Sequence, residues 1–336
     1  KAQIAFRKSS TVNDIVNSDY MGEIKQYGDS VQIIKEPSIS IAPYARGQKT
    51  VSQEIVDEDF TLTIDKANYF QFQVDDIEKA QSHINWMQLA TDNAGYKLRD
   101  AYDAEILGYL SGFKPSVPGG IADTLRVAAD IPGTKAISTA DADELLASNK
   151  LRKGSFSSIT TASAGDHSIP LAPRLPGATT FPTDVLSPLT LINRMSRVLD
   201  QQYVPSNGRW LVVDPVFLEL LRDEDSRLFQ SEWGNSGDGI RNGLRATNLH
   251  GFRIYETNNL PRVGTGPATS GTANQNANYG VVVAGHDSSV AAAEQLSKTE
   301  DFRSHDSFGD VVRGMHLYGR KLLRPEGIVT AKYNVA

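Results

Sequence analysis

The chain has 336 residues, of which 40% are apolar and 22% charged, with a formal net charge of −6. That is the balance of a folded protein with a sizeable core, and it excludes a largely disordered chain. It contains no cysteine, which removes disulfides, thiolate zinc sites, iron–sulfur clusters and cysteine nucleophiles together and fits assembly in a reducing cell.

Residues 1–30 carry little periodicity and read as an arm, with a short helix expected over Thr11–Asn17. From Val31 the chain turns strand-like, with Val31, Ile33, Ile39 and Ile41 alternating with polar residues. A turn signal centred on Gly47 separates this run from a second one, Val51 to Val74, and the two together predict a β-hairpin. Its length is informative: a strand of about 12 residues spans roughly 40 Å, whereas an isolated hairpin is marginal in water. Lys35, Glu36, Arg46, Lys49, Glu54, Asp57, Glu58 and Asp59 argue against burial in the chain's own core. A long hairpin, half apolar and half charged, is expected to rest on another subunit.

The second run ends in "TLTIDKANYFQFQVDDIEKAQ" (61–81), where Leu62, Ile64, Phe70, Phe72 and Val74 share one parity. At Asp75 the pattern becomes helical. Asp75 and Glu78 read as N-cap and N3 of a capping box, and Ile77, Ala80, Ile84, Met87, Ala94, Leu98, Ala101, Ile106 and Leu110 form an apolar stripe. No proline intervenes between Asp76 and Leu110, so one helix of roughly 50 Å is predicted, stopped by "SGFKP" (111–115).

Residues 111–182 are rich in proline and glycine and read as a loop-rich insertion with one helix over 138–148. Order returns at Asp184. A helix is predicted over 187–201, with Ser187 as N-cap, Pro188 at N1 and a Leu189, Ile192, Met195, Leu199 stripe. A turn ("VPSNG"), a buried strand ("RWLVV") and a helix capped by Asp214 ("DPVFLELL") follow. Then come a strand and turn over 251–261, a polar loop over 266–278, a buried strand over 279–285 and a helix over 287–296. This alternation predicts a mixed α/β domain.

Signals for chemistry are sparse. His286 and Asp287 belong to the serine-triad residue types, but a triad is a spatial arrangement, and an aspartate at a strand-to-helix junction reads as an N-cap. There is no G-x-S-x-G elbow, P-loop or H-E-x-x-H. The runs Asp57–Asp59 and Asp223–Asp225 read as solvated faces rather than metal sites. No enzyme activity and no cofactor are expected. The net negative charge argues against tight DNA binding, leaving local patches such as Arg320, Lys321 and Arg324 open to contact. No run approaches the roughly 18 apolar residues of a membrane span, so no membrane partner is expected.

The order of these features resembles the major capsid (coat) protein of tailed bacteriophages with the Hong Kong 97-type fold. The strings that carry the likeness are "LDQQYVPSNGRWLVVDP" (199–215), "GFRIYETNNLP" (251–261), "AGHDSSVAAAEQ" (284–295) and "FGDVVRGMHLYGRKLLRPEGI" (308–328). In the last, Phe308, Gly309, Asp310, Tyr318, Gly319 and Pro325 weigh most. The resemblance implies an α+β fold divided into an N-terminal arm (1–30), an E-loop hairpin (31–74), a P-domain spine helix with the insertion (75–182), an A-domain (183–299) and returning P-domain strands (300–336). It implies hexamers and pentamers closing into an icosahedral head around double-stranded DNA, assembled in the host cytoplasm, with portal, scaffolding or decoration proteins as partners. Ile39, Ile41, Tyr44, Arg46, Lys49, Glu54, Asp57 and Glu58 would make the E-loop contact with a neighbouring subunit. Some family members crosslink a hairpin lysine to an asparagine of another subunit, and Lys49 is the matching position, against the plainer reading of a solvated turn lysine. An encapsulin-type compartment enclosing enzyme cargo is the alternative on the same fold, and a soluble α/β enzyme using His286 is the alternative from another class.

Overall fold

A computed structural model describes residues 10–17, 30–34, 39, 41, 43–44, 46–47, 52–53, 59–64, 66–76, 86–116, 120–125, 145–157, 159, 168–172, 184–222, 244–260, 279–304 and 308–335. The helices are α1 (Val12–Ile15), α2 (Trp86–Leu110), α3 (Pro188–Gln201) and α4 (Pro215–Arg222). The strands are β1 (Ser30–Ile34), β2 (Asp59–Thr63), β3 (Lys66–Asp75), β4 (Phe113–Ser116), β5 (Gly120–Leu125), β6 (Lys150–Leu151) and β7 (Ser168–Leu171). They continue with β8 (Arg209–Val213), β9 (Leu244–Leu249), β10 (Phe252–Glu256), β11 (Tyr279–His286), β12 (Val290–Arg303), β13 (Gly309–Leu322) and β14 (Ile328–Val335).

The central sheet has seven strands in the order β6-β14-β11-β8-β10-β9, with β7 also paired to β14. Its middle strands are continuous apolar runs because both faces are covered. On one face Leu211, Val213, Val282, Ala284, Val329 and Ala331 pack against Leu191, Ile192, Met195 and Leu199 of α3 and Phe217, Leu218 and Leu221 of α4. On the other, Trp210, Val212, Val281, Val283 and Ile328 meet Tyr102, Ile106, Leu107 and Leu110 of α2 and Val12 and Ile15 of α1. Each such side chain, fully buried, contributes about 1.5–3 kcal/mol. Asp214 caps α4 as expected, its Oδ1 accepting from the Phe217 N–H at 3.1 Å and from the Tyr333 hydroxyl at 2.5 Å. Ser187 occupies the N-cap of α3 but makes no side-chain cap bond.

A second sheet is antiparallel, in the order β12-β13-β3, and here three expectations are corrected. The helix expected over 287–296 is a turn followed by β12. Val290–Ala293 pair with Gly319–Leu322 of β13, and alternate residues enter two different cores, Val290 and Ala292 in one, Ala291 and Ala293 in the other. Alanine suits two closely packed layers, and that pairing overrides its helix propensity. The single long strand expected over 51–74 is broken: β2 pairs with β1 and β3 with β13. The boundary expected at 299/300 falls inside β12, and the segment 300–336 divides, β13 pairing with β3 and β14 with β11.

Strand β3 keeps the expected parity, with Lys66 and Val74 buried and residues 67, 69, 71 and 73 exposed. It runs on through Asp75, which pairs with Gly309 and stands immediately before the helical Asp76, the N-cap position expected of it. Asp76 is helical, its N–H bonded to Phe308 O at 3.1 Å; Glu78 and residues 77–85 lie outside the described residues. In α2 the buried face is Tyr102, Ile106, Leu107, Tyr109 and Leu110, while Ala101 of the expected stripe is exposed. The helix ends as "SGFKP" suggested, with Ser111 Oγ donating to Gly108 O at 2.7 Å and Gly112 at φ 68°.

The expected insertion is the largest correction. Leu145, Leu151, Phe156, Ile159, Ile169 and Leu171 are core residues, and β6 and β7 extend the central sheet as parallel partners of β14. Ala147–Asn149 form a 3-10 turn, and residues 138–144 of the expected helix lie outside the described residues. The helix of the arm covers only Val12–Ile15, and Asn17 beyond it bridges to Ala291 of β12.

Candidate inter-subunit surface

The root of the hairpin is built into the subunit. β1 and β2 pair antiparallel from Ser30–Thr63 to Ile34–Asp59, and Leu62 and Ile64 are buried against Ala291, Ala293 and Leu317 of the β12–β13 sheet. Beyond the root, Ile39 is 72%, Ile41 96% and Tyr44 68% exposed. Arg46 is exposed as well, beside Gly47 at φ 88°, where the sequence placed the turn. Lys49, Glu54, Asp57 and Glu58 lie outside the described residues. Large apolar side chains exposed together mark an interaction surface.

A second exposed patch was not anticipated. On the outer face of the β12-β13-β3 sheet, Tyr69, Met315 and Lys298 lie in one cross-strand row, then Gln71, Arg313 and Glu300, then Gln73 and Phe302 on either side of the buried Val311. Tyr69 is 80% exposed, and Phe302, Met315 and Phe308 are exposed too. Arg313 donates to Glu300 Oε2 at 3.0 and 2.7 Å and lies 5.1 Å from the Phe302 ring centroid. Hydrogen bonds from Lys298 and then Arg313 hold the Glu300 carboxyl down at about 2. The signal for this patch was an aromatic, Tyr69, on the polar parity of β3.

Beneath the other face runs a buried polar seam. Glu105 of α2 accepts from Arg320 Nε at 3.2 Å and Nη2 at 2.9 Å, and from the Tyr318 hydroxyl. Arg320 also stacks over Tyr109, 3.9 Å from its centroid, so it is no DNA-contacting patch residue. Tyr102 packs edge-on to Tyr318 and His316; burial, and then the Glu294 charge, raises its hydroxyl pKa, while burial and then Glu105 raise that of Tyr318. The His316 hydrogen bond lowers Glu294. At the end of the seam Asp103 accepts from Ser10 Oγ at 2.9 Å, and burial pushes its carboxyl up to about 6.

The turn between α3 and β8 is held by many bonds. Tyr203 sits at φ 58°, and Val204 N–H closes back on Leu199 O at 3.1 Å. A non-glycine residue in this region costs about 1–2 kcal/mol. Arg209, itself buried, donates to Val204 O at 2.5 Å and Pro205 O at 2.8 Å and pairs with Asp200 at 2.7 Å. His286 Nε2 lies 2.9 Å from Asn207 O, and Asp287 N–H donates to Gly208 O at 3.1 Å. His286 Nδ1 lies 2.9 Å from Ser288 Oγ, but Asp287 pairs with Arg253 at 2.5 Å rather than with the imidazole. The serine–histidine pair therefore lacks an orienting acid, and both ring nitrogens serve turns. No three-residue metal cluster occurs among the described residues, and no described helix is long and apolar enough to cross a membrane.

A family model described as phage capsid protein matches residues 57–331. No curated protein matches the chain. Among solved structures, a chain of Mycobacterium phage Che8 is 23% identical with a TM-score of 0.65, the alignment covering 99% of this chain and 94% of that one. The capsid of Ralstonia phage GP4 aligns at 13% identity and a TM-score of 0.65, covering 100% and 94%. The capsid asymmetric unit of cyanophage Pam1 aligns at 15% identity and 0.64, covering 100% and 95%.

Proposed function

Because the chain belongs to the phage capsid protein family, as a major capsid protein of the virion that is structural and not catalytic, we propose that it assembles in the Hong Kong 97 manner. The hairpin rooted in β1 and β2 is the E-loop, α2 is the spine of a P-domain completed by β3, β12 and β13, and the seven-stranded sheet is the A-domain. Ile39, Ile41, Tyr44 and Arg46, with Lys49, Glu54, Asp57 and Glu58, rest on an adjacent subunit. Repetition of this contact produces hexamers and pentamers that close by symmetry. The shell forms in the host cytoplasm and encloses double-stranded DNA, with a portal and scaffolding or decoration proteins as further partners. The negative net charge supports an inner wall along which DNA slides.

One observation carries the reading: Leu62 and Ile64 at the hairpin's root are buried while Ile39, Ile41 and Tyr44 beyond it are at least 68% exposed. The doubly substituted Ile39→Asp, Ile41→Asp chain tests it. It should unfold as the parent does yet fail to form capsomers; capsomers of normal yield would contradict the assignment.

A further inference from the structure

The turn between α3 and β8 is fixed by hydrogen bonds along its length. Its backbone carbonyls at Val204, Pro205, Asn207 and Gly208 are each bonded, by Arg209, His286 and the Asp287 N–H. Asp200 fixes the Arg209 guanidinium that does most of this. Yet the residue the turn presents, Tyr203, is 94% exposed and in the left-handed backbone region. Strain kept in place by surrounding bonds gathers where a protein binds something. A rigid aromatic on a pre-organised turn is the usual form of an interface anchor, because little entropy remains to be lost on binding.

We propose that Tyr203 is an anchor that inserts into a second copy of this chain, a contact separate from the hairpin. The charge pattern selects that partner. Residues 201–208, "QQYVPSNG", carry no charged side chain, so the turn has none of the cations a phosphate backbone requires. The turn's own amide and hydroxyl side chains beside a tyrosine match the core of a protein–protein contact, which is depleted in charge and enriched in tyrosine. The flanking Asp200 and Asp287 are already paired with Arg209 and Arg253. Membership in a family whose members build shells supplies the second copy, and in that respect the proposal rests on the capsid reading.

The test is hydroxyl-radical footprinting of Tyr203 in particles purified from phage-producing cells and in the subunits dissociated from them. Assembly should reduce its modification at least about tenfold, as expected for a residue passing from full exposure to an interface centre. An unchanged rate in intact particles overturns the Tyr203 contact alone. Absence of particles overturns the capsid reading and the contact with it. Tyr203→Gly supplies an independent readout, since glycine relieves the backbone strain. Its subunit should be at least as stable as the parent, while capsomer formation requires about tenfold more protein or fails. Parent-like assembly by that variant also overturns the proposal.

Discussion

Glu105 of α2 and Arg320 of β13 meet 215 positions apart in sequence, through two hydrogen bonds of 2.9 and 3.2 Å, in a site where both are almost fully buried. The pair ties the long helix to the three-stranded sheet. Its geometry also says how the tie should fail, because removing either charge takes away the other's ion-pair partner in a poorly solvated seam.

Arg320→Leu or Glu105→Leu alone should destabilise the subunit by about 3–5 kcal/mol, since each leaves an uncompensated buried charge. The double substitution should be milder than either single one. Denaturant unfolding of the four proteins measures this as a coupling energy. Additive losses would mean that the two residues act separately.

Asp103 sets a pH dependence of the opposite sense from an ordinary surface carboxylate. Its folded pKa is raised from 3.8 to about 6 by burial. The fold therefore favours the protonated acid, and this contribution is fully present below about pH 4 and is lost as pH rises to about 6. Asp103→Asn keeps an acceptor for Ser10 but cannot ionise. Relative to the parent it should gain on the order of 2 kcal/mol between pH 4 and pH 7. Unfolding curves at the two pH values check it, and a parent–variant difference that does not change with pH would contradict it.

Asn149 gathers three chain segments. Its Nδ2 faces the carbonyls of Pro325 at 3.2 Å, Glu326 at 3.1 Å and Ile328 at 2.9 Å, and it also bonds to Gln202. Asn149→Ala should cost about 1–3 kcal/mol by leaving carbonyls unpaired. Asn149→Asp should be worse, because it turns an acceptor charge toward carbonyl oxygens. Thermal unfolding ranks the two, and the reverse order would refute this role.

Gly285 has no room for a side chain: an added Cβ would lie 2.5 Å from both Ile328 Cδ1 and Trp210 Cζ2, neither of which has space to retreat. Gly285→Ala should lower stability by about 1–3 kcal/mol, read as a shifted denaturation midpoint at unchanged slope.

What could be read from the sequence follows from how locally each element is determined. β8 and β11 announce themselves as apolar runs, and α3 and α4 by helical spacing with proline at N1, because those signals lie within the elements. β12 was misread because "VAAAEQ" has helical composition, while its strand state depends on pairing with β13 and on two cores it separates. β6 and β7 are 2 and 4 residues long and acquire strand character only from β14, so proline and glycine around them dominated the local pattern. Of the surface, the exposed hairpin residues Ile39, Ile41 and Tyr44 were legible from alternation beside charge. The outer-face row at Tyr69 and Met315 depends on cross-strand register, and Tyr203 on a backbone angle, which composition does not report.

The central claim is that copies of this chain form a closed shell around DNA. Electron microscopy of particles purified from phage-producing cells, with nuclease-protected nucleic acid assayed in the same fractions, tests it most directly. The predicted result is closed icosahedral shells built of this chain and holding protected phage DNA. A discrete small oligomer from those cells, or shells holding protein cargo and no DNA, would contradict it.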